Sequence, residues 1–228
     1  MALVIKNLEK KYGNYKVIDK LSFKCNKGEI VGLLGLNGAG KTTLIKILTG
    51  INTKWDGEIT FNGLDLQKNI QKIQKVTGYL PEDNPLYSDL YVIEYLKFIS
   101  NFYKTKDSQI KRVIDLTGLS NYKNKIIKTL SKGYKQRIGI AAAILHEPDF
   151  LILDEPTTGL DPHQLLEIRK LIKDIGKNKT VLFSTHILSE VKLTCNRVLL
   201  LHEGKIKLDS PIKKVKNLEK LFKDLSNK

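Results

Sequence analysis

Gly35-Leu36-Asn37-Gly38-Ala39-Gly40-Lys41-Thr42 fits the phosphate-loop pattern G-x-x-x-x-G-K-[ST]. No other segment constrains the fold as tightly. Such a loop needs a buried strand before it and a helix after it. Its glycines let the backbone curl until several N–H groups converge on phosphate oxygens, and the helix start adds a positive dipole end. Both flanks fit. Glu29–Leu34 reads as a strand buried on both faces of a sheet. Thr43–Thr49 reads as a helix closed by Gly50. In this context Lys41 reaches the β- and γ-phosphates of a nucleotide, and Thr42 offers its hydroxyl to Mg²⁺. Thr43 offers an N–H or hydroxyl to a phosphate.

The second chemical signal is Phe150-Leu151-Ile152-Leu153-Asp154-Glu155, four apolar residues and then two acids. An acid at the C-terminal end of a buried parallel strand sits beside the phosphate loop. Asp154 is placed to hold Mg²⁺, directly or through water. Glu155 then points past the γ-phosphate and is the candidate general base for an attacking water.

Strand and helix patterns alternate along the rest of the chain. Leu3–Asn7, Leu21–Cys25, Val76–Leu80, Thr180–Phe183 and Arg197–Leu201 read as strands, and Gly57–Phe61 as an edge strand with a turn at Asn62–Gly63. From Asp89 the apolar period lengthens from two to about 3.6. Leu90, Ile93, Leu96 and Ile99 mark one helix; Ile110, Val113, Ile114 and Leu116 a second; Gly133–Leu145 a third. Pro162–Ile175 is a further helix with Asp161 as its cap. The pattern predicts one α/β domain over residues 1–228 with a mainly parallel sheet and a helical insert at about 84–146. The tail from about 210 has helical spacing at Val215, Leu218, Leu221, Phe222 and Leu225 and is expected to cover a core edge.

Composition narrows the class. A hydrophobic fraction of 41% over 228 residues supports a folded core. No apolar run approaches the ~18–20 residues of a membrane helix, and the N-terminus lacks a signal-peptide pattern. Two distant cysteines, Cys25 and Cys195, make neither a disulfide framework nor a metal cluster. The net charge of +15 invites an anionic partner. Yet the excess is scattered lysine, with only four arginines, and no groove reader or base-stacking platform accompanies it. Nucleic acid is therefore not expected as a specific partner.

The motifs occur in an order that resembles the ATP-binding subunit of ATP-binding-cassette (ABC) transporters over essentially the full length. After the phosphate loop comes Leu130-Ser131-Lys132-Gly133-Tyr134-Lys135-Gln136-Arg137, similar to the family signature. Then come the acidic strand, the Thr158-Gly159-Leu160-Asp161 loop, and His186 in the switch position. The segments Tyr79–Tyr87, Leu130–Arg137 and Asp154–Pro162 closely resemble the gliding-motility-associated and ABC-2-type exporter subgroup.

The resemblance implies a P-loop NTPase fold with an N-terminal antiparallel β subdomain. It implies that Tyr12 stacks on adenine, and that Ser131 and Gly133 contact the γ-phosphate of ATP bound to the opposite subunit. His186 would bond the γ-phosphate and hold Glu155 and the water. Two departures stand out. Glu82 replaces the usual Gln, keeping an oxygen for Mg²⁺ or water but losing an amide donor. Lys132 and Tyr134 replace a Gly and a Gln of the signature. The implied protein hydrolyses ATP with Mg²⁺, pairs with a second ATP-binding subunit, and works with a separate transmembrane permease at the cytoplasmic face of the inner membrane. The second reading is a soluble single-cassette ATPase in an assembly or repair process.

Overall fold

The computed structural model describes residues 2–226; Met1 and the last two residues of the expected tail lie outside them. The chain opens with a hairpin, β1 (Leu3–Tyr12) and β2 (Tyr15–Cys25), then enters β3 (Ile30–Leu34) and helix α1 (Lys41–Leu48). β4 (Asp56–Phe61), β5 (Leu64–Asp65), α2 (Ile70–Lys75) and β6 (Thr77–Leu80) follow. Three helices come next: α3 (Val92–Tyr103), α4 (Asp107–Leu116) and α5 (Lys132–Ile144). The second half runs β7 (Phe150–Asp154), α6 (Pro162–Gly176), β8 (Thr180–Thr185), α7 (Leu188–Thr194), β9 (Arg197–His202), β10 (Lys205–Pro211) and α8 (Leu218–Ser226).

Two sheets form. The larger has the order β10-β9-β3-β8-β7-β6, parallel except where β10 turns back along β9. The smaller is antiparallel, in the order β2-β1-β4-β5. β4 therefore lies inside its sheet, not at the edge. The turn at Asn62–Gly63, both with positive φ, is followed by the two-residue β5, which takes the edge position. β1 is also longer than its apolar pattern suggests. It passes through register shifts between Ile5 and Lys11 and a left-handed Asn7 without leaving the sheet.

The central strands are apolar on both faces, and successive side chains serve different cores. Phe150, Ile152, Leu182, Leu199 and Leu201 enter the cluster shared with the antiparallel sheet and α1. Leu151, Leu153, Val181, Phe183, Val198 and Leu200 enter the cluster under the remaining helices. Phe61 meets Phe150 edge-on, with ring centroids 5.3 Å apart, pinning one sheet to the other. Such a pair contributes ~0.5–1.5 kcal/mol beyond its burial.

Helix approach is set by small residues. Gly32 on β3 leaves room for α7: a Cβ there would stand 2.8 Å from Val191 Cγ1. Gly78 on β6 lies against the Ala143 carbonyl of α5. The tail helix α8 packs on a core edge, with Leu218 buried and Leu221 and Leu225 partly buried on the same cluster. Among the described residues no helix is long and apolar enough to cross a membrane.

Candidate active site

The phosphate loop leaves the end of β3 and closes into α1. Gly40 caps the helix with φ 105° and has no side chain to satisfy the first-turn N–H groups. A Cβ at Gly35 would stand 2.6 Å from the Leu201 carbonyl, so the loop needs glycine there. Lys41 is buried, and its Nζ donates to the carbonyls of Gly35 at 2.7 Å and Leu36 at 3.3 Å. The same Nζ stands 3.5 Å from Glu155 Oε1. The ammonium thus bridges the loop and the acidic strand. Leu36, Asn37, Gly38, Thr42 and Thr43 line a cleft of about 610 Å³ together with Lys41, Glu82, Glu155 and His186. Ala39, within the loop, is buried.

β7 delivers both acids. Asp154 pairs in register with Ser184 of β8 and accepts a 2.5 Å hydrogen bond from its hydroxyl. Burial pushes the Asp154 carboxyl up, the Ser184 bond opposes this, and the nearby Glu82 and Glu155 charges add to the rise. Glu155 turns out of the strand in a left-handed conformation, φ 48°. Its N–H is shared between the Ser184 hydroxyl, 3.0 Å, and carbonyl, 3.2 Å. Its Oε2 accepts from His186 Nδ1 at 2.9 Å and from the Thr158 hydroxyl at 3.3 Å. The carboxylate is buried, yet it opens on the phosphate-loop cleft.

These residues fit Mg²⁺. Thr42, Glu82 and Asp154 share one cleft, supplying a hydroxyl and carboxylates, the hard oxygen donors Mg²⁺ takes. Among the described residues no cluster of three or more His, Cys, Asp or Glu forms a complete metal cage. That suits an ion that keeps its waters and completes its shell with substrate phosphates.

Ser131 and Gly133 lie elsewhere. Ser131 is the residue before α5, and its side chain makes no cap bond. It lines a separate cleft with Gly133, Asp161 and Gln164. Asp161 caps α6 by accepting from the Gln164 N–H at 2.9 Å. Tyr134, in the place of the usual Gln, packs on Tyr122 with centroids 3.9 Å apart and rings inclined by 34°, and donates its hydroxyl to the Tyr122 oxygen at 2.6 Å. Lys132 reaches Gly159 and the cleft that holds Asp154 and Glu155 of its own chain.

Tyr12 is not among the residues lining the phosphate-loop cleft. It is half-exposed at the hairpin end, its ring 4.7 Å from Lys10 Nζ and its hydroxyl accepting from Asn52 at 2.8 Å. Its cross-strand partner Tyr15 lines the cleft instead, with Val17. Sequence reasoning did not single out Tyr15. It also missed Ser184, the residue that touches both acids. The available signal was a hydroxyl pair closing an apolar strand, Ser184-Thr185 directly before His186.

The family described as "ABC transporter" matches residues 18–158. The lantibiotic transport ATP-binding protein SrtF of Streptococcus pyogenes is 37% identical over 222 residues, 96% of this chain and 95% of that protein. The bacitracin transport ATP-binding protein BcrA of Bacillus licheniformis is 38% identical over 227 residues, 97% of this chain and 74% of that protein. A solved ATP-binding subunit of an ABC transporter superposes with a TM-score of 0.88 at 29% identity, covering 99% of this chain and 100% of its own. The chain belongs to the ABC transporter family, as an ATP-binding and ATP-hydrolysing subunit that energises transport.

Proposed function

We propose that the chain acts as one of two ATP-binding subunits that close head-to-tail on two ATP molecules and drive a separate permease. The observation that carries this is the division of the phosphate-binding parts. The loop, Glu155 and His186 share one cleft, and Asp154 lines the adjoining cleft with Thr42 and Glu155, whereas Ser131 and Gly133 stand in another. A complete site then takes one half from each subunit. The triphosphate lies on Gly35–Thr43, with Lys41 leaving its loop carbonyls for the β- and γ-oxygens. Thr42 and Asp154, with Glu82, would hold Mg²⁺, which neutralises charge on those phosphates. Glu155 takes a proton from the attacking water, whose oxygen bonds to the γ-phosphorus as the bond to ADP breaks. His186 keeps the Glu155 carboxylate aimed. Catalysis is mostly positioning and charge stabilisation. The adenine lies against the β1–β2 hairpin, where Tyr15 lines the cleft.

The permease has a suitable dock. A groove of about 360 Å³ runs between β6 and the inserted helices, lined by Pro81, Tyr95, Ile99, Tyr103 and His146. It adjoins the cleft holding Glu82, so motion at that carboxylate reaches the groove directly. The subunit works at the cytoplasmic face of the membrane, and export of a cargo of the kind named for SrtF and BcrA is the direction proposed. The test is Glu155→Gln. With ATP and Mg²⁺ the variant should elute as a dimer where the parent does not, and co-expression with a permease should retain it on membranes. A variant that stays monomeric with ATP bound refutes the sandwich.

A further inference from the structure

Two ion pairs grip α6 on opposite sides. Arg137 of α5 pairs through Nη2 with Glu167 and donates through Nη1 to the Thr117 carbonyl at 2.9 Å. Two positions later, Arg169 forks onto Glu190 of α7, with Nε 3.1 Å from Oε2 and Nη2 on Oε1. Residues two apart on a helix lie about 200° around its axis, so the two pairs face different neighbours. The first joint stands at the signature cleft, which Arg137, Gln164 and Glu167 line with Ser131 and Gly133. Gly133 packs so closely on Gln164 that a Cβ would stand 2.5 Å from its Cδ. The second joint stands four residues after His186. The Glu190 side chain is only 2% exposed, and its N–H bonds back to the Ile187 carbonyl at 3.1 Å.

A buried ion pair is poor evidence for stability, because desolvation offsets its attraction. What a bidentate guanidinium–carboxylate fork does supply is geometry. Glu190 has no other hydrogen-bonding or ionic side-chain partner among the described residues, so Arg169 ties α7's first turn to α6, beside the Ile187 N–H bond to Thr185 Oγ1 and the packing of Val191 on Gly32.

We propose that α6 is a rigid relay by which the signature cleft sets the position of His186 in the same subunit, with Arg169 and Glu190 as positioning residues. This rests on the reading of Ser131 and Gly133 as ligands for the opposite subunit's ATP. A phosphate docking there displaces α5 against Gln164 and Glu167. α6 carries that displacement to Glu190, and His186 moves relative to Glu155. One subunit thereby reports the occupancy of its neighbour's site to its own switch histidine, which couples the two ATP molecules without contact between them.

The experiment reads His186 directly in the nucleotide-free full chain. With ¹³C/¹⁵N-histidine labelling the four histidines give four ring signals, and His186→Gln assigns the relevant one. Gly133→Ala pushes on Gln164, and Arg137→Met releases Glu167. At least one should displace the His186 signal beyond its line width. Adding Arg169→Met should cut that displacement by more than half, and Glu190→Gln should do the same with less disturbance of packing. The relay is overturned if neither near-end change moves His186, or if the displacement survives both far-end variants undiminished. Neither result depends on hydrolysis or dimer formation. A failure of the two-subunit reading, seen as a monomeric Glu155→Gln protein, is therefore a separate outcome.

Discussion

His186 Nδ1 stands 2.9 Å from Glu155 Oε2, on a carboxylate whose other oxygen faces Lys41 at 3.5 Å. The candidate base is thus held from two sides, and its backbone is held from a third by Ser184. Removing the carboxylate's basicity while keeping its shape isolates the chemical step. Glu155→Gln is expected to bind ATP as the parent does while phosphate release falls at least ~100-fold, the lower range for a general base. Equal phosphate-release rates for parent and variant would remove Glu155 from the role of base.

Ser184→Ala deletes the donor to Asp154 and one of the two acceptors of the Glu155 N–H. The Ser184 carbonyl still accepts, so the strand stays paired. The stability cost should be about 1–3 kcal/mol, that of a buried group left unpaired. The expected kinetic effect is a fall in kcat together with a raised Mg²⁺ requirement, because both acids lose their alignment. Thermal unfolding and a Mg²⁺ titration of ATPase activity check the two parts. A kcat that survives the loss of stability would show that Ser184 is only structural.

The hairpin tyrosines separate by position. Tyr15 lines the cleft, while Tyr12 is tied to Lys10 and Asn52. If stacking on the base uses the cleft-facing ring, Tyr15→Ala should weaken ATP binding about tenfold or more, at the ~1–3 kcal/mol of a base–aromatic stack. Tyr12→Ala should then change it less. The opposite order in a fluorescent-nucleotide titration would return the stacking role to Tyr12.

His146 stacks on Tyr103 with centroids 4.0 Å apart, and one of its ring nitrogens is buried without a partner. Burial holds the ring's pKa below its ordinary 6.5. As pH falls through about 6.5 the unfolded chain takes up a proton that the folded chain refuses. Stability is therefore full above that value and declines below it, until the folded ring also protonates. The melting temperature should drop between about pH 7.5 and about pH 5.5. His146→Phe, which keeps a ring against Tyr103, should flatten that slope. An unchanged slope would place the pH sensitivity elsewhere.

Much of this molecule is legible in local sequence because its chemistry is local. The phosphate loop needs consecutive glycines, a lysine and a threonine between a strand and a helix. The acidic pair needs only to end an apolar strand. Asp161 caps α6 three residues from its bonding partner. Each of these is decided within a few residues by backbone geometry. Strand edges are not: β4 and Gly57–Phe61 cover nearly the same segment, but whether it stands inside a sheet or at its rim depends on β1 and β5.

Other relationships belong to the tertiary structure alone. Ser184 acquires its role because β8 registers Asp154 against it. Which tyrosine of the hairpin faces the cleft follows from strand pairing and from the pull of Lys10 and Asn52 on Tyr12. The two grips on α6 join residues 30 and 21 positions apart. Sequence by itself determined that a glycine-rich loop with a lysine and a threonine stands between a strand and a helix at Gly35–Thr42 and that two acids close an apolar strand, because those features are encoded by neighbours along the chain. Only the packed fold decided which side chains brace the acids and which helices α6 is tied to, because those contacts exist only once separate strands and helices share a core.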